Sequence, residues 1–308
     1  MLRALRAGFP EARIGVTGPV AHLIAPGPWV DQLLPPPPPW PLWPNWLRSI
    51  RRGEFELALI LPNSFQSALA IRLAGVPRRI GHASDGRSWL LTTALPRSKG
   101  VHQAQAYVGL LSPLSIVAPA SALDYPVHPQ AEAEAGRLWE KVGLGQRPTA
   151  AIHLGAAFGP SKLWWPERYA QLADRLRSRH GVDVVFLGSP GERRLWQNVA
   201  ERLDHPAPSL VGQDRLEILP ALLRRCRVLV SGDTGAMHLA AAVGVPVVAL
   251  FGPTDPRLTH PVGEGHTVIW KQVPCAPCFL PRCPIDHPCM GQISVEEVEA
   301  AVARVFSR

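Results

Sequence analysis

The chain has 308 residues, 46% of them hydrophobic and 18% charged, which predicts a globular protein with room for two domains. No apolar run reaches the roughly 18 to 20 residues of a membrane helix, and the first residues lack the apolar region of a signal peptide. These features exclude an integral membrane protein and predict a cytoplasmic one.

The formal net charge of +8 predicts an anionic partner. Arginines are scattered through the first third, for example at Arg48, Arg72 and Arg97, without a zinc-finger, helix-turn-helix or RNP signature. We therefore expect no nucleic-acid partner. A lipid or phosphosugar surface fits the charge better.

The first domain is predicted to span residues 1–145. Residues 1–8 predict the last turns of a helix, so we expect one strand and one loop to be missing before this start. The prolines at 35–39 predict a stiff polyproline II loop, with a docking segment as the alternative. The loop that carries Asp85 and Arg87 is expected to face an acceptor. The other predicted elements are strands at 13–17, 55–61 and 79–82 and helices at 47–52, 64–74, 102–111 and 130–142.

The second domain is predicted to span residues 146–308, with Gly145 in the linker. Here strands alternate with helices, which predicts an α/β fold with a doubly wound parallel sheet. A capping box of Ser294 and Glu297 predicts a closing helix to about residue 306. The remaining predicted strands are 150–154, 182–187, 209–211, 228–230 and 245–251, and the helices are 166–179, 191–203, 216–225 and one from 234.

Residues 228–256 combine a buried strand, a polar turn, a helix and a second buried strand. Asp233 follows the first strand at its carboxyl end, where open α/β sheets bind ligands. The helix begins at Thr234 and Gly235, and its free N–H groups favour a phosphate. His238 lies one turn further on and can donate to a second phosphate oxygen. The alternatives are that Asp233 only caps the helix and that His238 is a core residue.

A second small-residue loop, 155–162, follows the strand at 150–154 and is predicted to lie at the same sheet edge. It contains Gly155, Ser161 and Lys162, and the Lys162 ammonium can offset the charge of a leaving diphosphate. The alternative is a solvated surface lysine. The loop lacks the Walker sequence.

Four cysteines, Cys275, Cys278, Cys283 and Cys289, lie within fifteen residues with His287 among them. Such a cluster can bind zinc, but only the first pair has a typical ligand spacing. Structural zinc, redox-sensitive thiols and a reduced, packed loop remain open, and we favour the packed loop. No metal is expected at the nucleotide site.

Three segments carry a family resemblance: GAAFGPSKLWWPERYAQLADRL, SGDTGAMHLAAAVGVPVVALFGPTDP and CAPCFLPRCPIDHPCMGQISVEEV. They resemble the family 9 glycosyltransferases, the ADP-heptose:lipopolysaccharide heptosyltransferases. The resemblance implies a GT-B architecture, with two Rossmann-like domains facing each other across a cleft. It further implies an inverting transfer of heptose from ADP-heptose to a lipid A–core acceptor, without a cofactor, at the anionic inner-membrane face.

By the same resemblance, Lys162 contacts the donor phosphates, Asp233 the ADP ribose, and Thr234, Gly235 and His238 the diphosphate. The family's general base is an aspartate in a loop that would lie upstream of Met1, so we expect it outside this sequence. Alternatives are a GT-B transferase with another nucleotide-sugar or a protein acceptor, and a nucleotide-binding protein without catalysis.

Overall fold

The computed structural model describes residues 1–24, 27–39, 42–118 and 123–307. Trp40 and Pro41, which follow the predicted polyproline stretch, lie outside the described residues. The chain forms two compact units, Met1–Ala120 and Ser121–Arg308. No helix among the described residues is long and apolar enough to cross a bilayer.

The first unit contains two small parallel sheets, β1-β2 and β3-β4-β5. The strand predicted at 13–17 is reduced to two paired residues, and the strand Thr93–Pro96 was not predicted. Its elements are α1 (Leu2–Gly8), β1 (Gly15–Val16), β2 (Gln32–Leu33), α2 (Trp43–Arg52), β3 (Leu57–Ile60), α3 (Phe65–Leu73), β4 (Arg78–Ala83), β5 (Thr93–Pro96) and α4 (Gln103–Gly109).

The second unit is built on one five-stranded parallel sheet. Its elements are α5 (Pro129–Lys141), β6 (Thr149–His153), α6 (Pro166–His180), β7 (Asp183–Leu187), α7 (Arg193–Ala200), α8 (Leu219–Arg224), β8 (Val228–Gly232), α9 (Gly235–Ala242), β9 (Val247–Phe251), α10 (Pro256–Thr259), β10 (Thr267–Trp270), α11 (Pro288–Gly291) and α12 (Val295–Phe306). The strand order in the sheet is β10-β9-β8-β6-β7.

Alternate strand residues of this sheet face two separate cores, as expected when helices cover both faces. Ile152 and Val230 pack in one core with residues of α6 and α12. Ala151 and Leu229, their neighbours in sequence, pack in the other with residues of α5, α8 and α9. The continuous apolar runs in the sequence therefore come from strands that are buried on both sides.

Three sequence predictions in this unit need correction. The segment 209–211 forms only a single bridge, Ser209 to Phe186, because a turn begins at residue 211. The helix predicted at 191–203 is the shorter α7, preceded by a 3-10 turn that begins at Pro190. The edge strand β10 was missed: its residues favour a strand, but it is only four residues long and only Ile269 is buried.

Helix α5, which the sequence analysis assigned to the first domain, packs in the second unit. Its Ala131, Ala135 and Trp139 are buried in the core that α8 also contributes to. Glu132 and Glu134 on its surface pair with Arg224 at 2.8 Å and Arg215 at 2.6 Å. The two compact units divide at 120/121. The domain boundary at 145/146 stays a prediction.

Candidate functional site

The candidate site lies where β6 and β8 end side by side. The two strands are paired in parallel, with Ala150 opposite Val228 and His153 opposite Ser231. The loop that follows β6 and the turn that follows β8 therefore leave the sheet at the same edge, as the sequence analysis expected. Open α/β sheets bind ligands at this edge.

Lys162 and Asp233 meet at this edge. The Lys162 Nζ lies 2.6 Å from Asp233 Oδ2 and also donates to the Asp233 carbonyl at 3.0 Å. Each side chain is only 9% exposed, so water screens this pair less than a surface ion pair. The interpretation of Lys162 as a solvated surface lysine is wrong. The Lys162 ammonium also lies 4.7 Å from the ring centre of Phe158.

Thr254 completes a group that we call the donor cluster, made of Lys162, Asp233 and Thr254. The Thr254 hydroxyl donates to Asp233 Oδ2 at 2.8 Å, the same oxygen that binds Lys162. Thr254 is 6% exposed. It lies in the short segment between β9 and α10, and sequence reasoning missed it because nothing in the local pattern links it to Asp233.

Helix α9 begins beside the donor cluster. Its N-cap is Thr234, which makes no side-chain capping hydrogen bond; its hydroxyl instead lies 3.2 Å from that of Ser231. Gly235 is exposed, and a Cβ built there would have nothing within 4 Å. The helix terminus is thus open to an anion, as its dipole favours. His238 is half-buried one turn further along the helix.

The Asp233 carboxylate is not the cap of α9. Its Oδ2 is held by Lys162 and Thr254 from outside the helix, and the N-cap position belongs to the next residue. The carboxylate therefore orients an ammonium group next to a helix N-terminus, which is an arrangement suited to binding a diphosphate.

Ser161 and Gly155 shape the loop, and the Ser161 hydroxyl and the Gly155 N–H already have partners within the chain. Ser161 is 1% exposed, and its hydroxyl donates to the Leu280 carbonyl at 2.6 Å. The Gly155 N–H donates to Nδ1 of His153 at 3.0 Å. A Cβ at Gly155 would lie 2.4 Å from the His153 ring, so only glycine allows this close approach. The two residues hold the loop that carries Lys162.

His153 is a second residue that sequence reasoning missed. It ends β6, and its ring nitrogen accepts the Gly155 N–H, which requires the neutral imidazole. Desolvation by burial lowers the pKa of His153 to about 4. The loop of Lys162 is therefore anchored by a histidine that stays neutral well below pH 6.

The loop also rests against the cysteine-rich segment. Gly159 has φ of 147°, and a Cβ there would lie 2.4 Å from the Pro281 carbonyl oxygen. The Ser161 N–H donates to that same carbonyl at 3.1 Å. All five cysteines are unpaired thiols, and no group of three or more metal-binding side chains is found in the described ranges.

Comparison with known proteins decides the family. Residues 44–288 match the model of glycosyltransferase family 9 (heptosyltransferase). The chain belongs to glycosyltransferase family 9. It is a glycosyltransferase, and its α/β fold is of the GT-B class, with two Rossmann-like units.

Family members that are similar in sequence include lipopolysaccharide heptosyltransferases 2. Those of Salmonella typhimurium and Escherichia coli K12 are each 31% identical over 287 residues, which is 87% of this chain and 82% of theirs. Among solved structures, the Escherichia coli ADP-heptose LPS heptosyltransferase II matches with a TM-score of 0.83 and 26% identity, covering 99% of this chain and 93% of that one. The donor cluster and α9 lie inside the matched family region.

Proposed function

We propose that this family 9 glycosyltransferase transfers heptose from ADP-heptose to the inner core of lipopolysaccharide, with inversion at the anomeric carbon, as a heptosyltransferase II. The similarity to lipopolysaccharide heptosyltransferases 2 along most of the chain supports the choice of donor and acceptor. The single structural observation that carries the proposal is the buried Lys162–Asp233 pair beside the open N-terminus of α9.

The donor diphosphate binds between Lys162 and α9 in this proposal. The backbone N–H groups at Thr234 and Gly235 bind phosphate oxygens, and His238 donates to the same diphosphate. When the glycosidic bond breaks, negative charge grows on the leaving ADP. The Lys162 ammonium and the helix terminus are already in place to stabilise it, so little reorganisation is needed.

Asp233 has two tasks in this arrangement. Its Oδ2 binds Lys162 and Thr254 and so fixes the ammonium. Its second oxygen, Oδ1, accepts from a ribose hydroxyl of ADP. Ser161 and Gly155 act indirectly, because their polar groups hold the loop.

The acceptor, the lipid A–core, is anchored in a membrane, and the enzyme must reach it from the side where ADP-heptose is made. We place the protein as a peripheral enzyme at the cytoplasmic face of the inner membrane. The net charge of +8 supports this, because basic proteins are attracted to anionic lipid surfaces.

A transfer assay tests this function. The purified protein is incubated with ADP-heptose and a lipid A–core acceptor that lacks its outer heptose, and the products are separated by mass spectrometry. Because the resemblance places the general base outside this sequence, we expect slow transfer at most, in which each heptose gained by the acceptor is accompanied by one released ADP. UDP-glucose and GDP-mannose serve as comparison donors in the same assay. Transfer of sugar from either of them in preference to ADP-heptose would contradict the proposal.

A further inference from the structure

Most of the positive charge of the chain lies in the first unit. Residues 1–120 contain 12 Lys and Arg against 5 Asp and Glu, a net charge of +7, whereas residues 121–308 contain 20 against 19, a net charge of +1. Several arginines of the second unit also pair with carboxylates, as Arg175 does with Glu296 at 2.6 Å. The first unit is therefore the part of the protein that attracts an anionic partner.

Three arginines of the first unit lie together near the C-terminal ends of α2 and α3. The Arg51 guanidinium donates to the Leu73 carbonyl at 2.6 Å, which joins the two helix ends. Burial, and after it the nearby charge of Arg72, lower the pKa of Arg79, so the guanidinium groups of Arg72 and Arg79 lie close together. Among the described residues, none of the three arginines forms an ion pair with a carboxylate. Their charges are thus available to a partner outside the chain.

Trp89 adds an exposed aromatic ring to these arginines. It is 64% exposed, and the Arg72 guanidinium lies 5.8 Å from the centre of its ring. Arg79 donates to the carbonyl of the next residue, Leu90, at 2.7 Å. Leu73, next to Arg72, is a second large apolar residue at the surface, with 42% exposure. We call this group the arginine patch; its members are Arg51, Arg72, Leu73, Arg79 and Trp89.

The turn that carries Trp89 has a rigid base. Arg87 and Leu90, on either side of it in the sequence, are both fully buried. The Arg87 side chain donates from Nε to the His82 carbonyl at 3.0 Å and from Nη1 to the Ser67 hydroxyl at 3.0 Å. Because the turn is fixed in this way, the exposed ring has little conformational freedom to lose when a partner covers it.

We propose that the arginine patch docks on the anionic lipid head groups of a bilayer. The inference rests on the proposed function, which places the enzyme at such a surface. Arginine side chains attract anionic lipids, and a tryptophan ring favours the boundary between head groups and acyl chains. Arginines alone would suit any polyanion. The exposed apolar area of Trp89 and Leu73 favours the lipid, because a lipid boundary removes that area from water and a soluble polyanion does not.

Sedimentation of the full chain with vesicles, without donor or acceptor, tests this surface. The wild type is expected to bind vesicles that contain phosphatidylglycerol more tightly than vesicles of phosphatidylcholine alone, and more weakly as salt is added. Arg72→Gln is expected to weaken binding to the anionic vesicles by about fivefold, and Trp89→Ala by about tenfold. The control is Arg202→Gln in the second unit, at an exposed arginine that donates to the Asn198 carbonyl.

The outcomes are separated by the same variants. Weaker vesicle binding by Arg72→Gln and Trp89→Ala, with the control unchanged, supports the docking surface. Equal binding of the wild type to both kinds of vesicle overturns it, and so does wild-type binding by either variant in a folded state. Melting curves identify a variant that fails to fold, and the other variant then decides.

Heparin provides a soluble polyanion for comparison. Its binding is expected to weaken in Arg72→Gln and to stay unchanged in Trp89→Ala. A parallel loss of heparin binding in Trp89→Ala would indicate a polyanion site and overturn the lipid surface. Because no sugar is transferred in these measurements, a failure here is distinct from a failure of the transfer assay.

Discussion

At the scale of single residues, the donor cluster depends on one carboxylate oxygen. Asp233 Oδ2 accepts from the Lys162 ammonium and from the Thr254 hydroxyl. Removing Asp233 entirely would leave a buried ammonium without its partner, which is strongly destabilising. Thr254 is the better probe, because it can be altered without removing a charge.

Replacing Thr254 by valine is expected to weaken ADP binding by about tenfold. Valine has nearly the same shape but cannot donate to Asp233, and a hydrogen bond to a charged group contributes about 1.5–3 kcal/mol. Thr254→Ser restores the hydroxyl and is expected to bind ADP almost as the wild type does. Calorimetry with ADP measures both variants; weakening by serine but not by valine would mean that the methyl group, not the hydroxyl, matters.

The sequence predicted which residues reach the sheet edge but not how they pair. Lys162 and Asp233 each follow a buried strand, and this pattern is local. Lys162 and Asp233 are 71 residues apart in the chain. They come into direct contact only because β6 lies next to β8 in the sheet. Thr254 could not be recognised at all, because its contact with Asp233 arises only once β9 lies beside β8 in the sheet.

At the scale of secondary-structure elements, the loop between β6 and α6 depends on a neutral histidine. His153 has a pKa of about 4 in the folded chain, below the usual value of about 6.5. Between pH 6.5 and 4 the unfolded chain binds a proton at this histidine and the folded chain does not. The contribution of His153 to the free energy of unfolding is therefore complete above pH 6.5 and is lost as the pH falls to 4. Protonation also removes the acceptor for the Gly155 N–H.

We therefore expect His153→Gln to be less sensitive to acid than the wild type. Urea unfolding at pH 7 and pH 4.5 should show that the wild type loses more stability on acidification than this variant does. His205→Gln, at an exposed histidine, is the control and should behave like the wild type. A wild-type loss that persists unchanged in His153→Gln would assign the acid sensitivity to another group.

The elements that sequence reasoning predicted well are those with a strong apolar pattern. Strands β6 to β9 and helix α6 show strong apolar periodicity, and their predicted limits differ from the structure by two residues or fewer. The edge strand β10 and the small strand β5 bury little of their surface. Each has only four residues, which is too short for an alternating pattern to separate it clearly from a loop.

At the scale of the whole molecule, the first unit ends before helix α5. The sequence analysis placed the boundary at Gly145 because glycine and proline follow the helix, and such residues are typical of linkers. The packing of Trp139 against α8 is a long-range property that this local signal does not contain.

The two boundaries predict different stabilities for fragments that begin at residue 121 and at residue 146. We expect the fragment Ser121–Arg308 to unfold at a higher temperature than a fragment of residues 146–308. The shorter piece loses three buried side chains of α5, and loss of a buried tryptophan alone costs about 3–5 kcal/mol. Circular dichroism melting curves compare the two; equal melting temperatures would favour the boundary at 145/146.

The central claim is that Lys162 binds the diphosphate of ADP, and calorimetric titration of ADP into the wild type and Lys162→Gln tests it most directly. Lys271→Gln is the matched control, because Lys271 pairs with Glu297 on α12. We predict that ADP binds the wild type and the control equally, more tightly than UDP or GDP, and binds Lys162→Gln at least about tenfold more weakly. Tighter binding of UDP, or ADP affinity unchanged in a folded Lys162→Gln, would contradict the account.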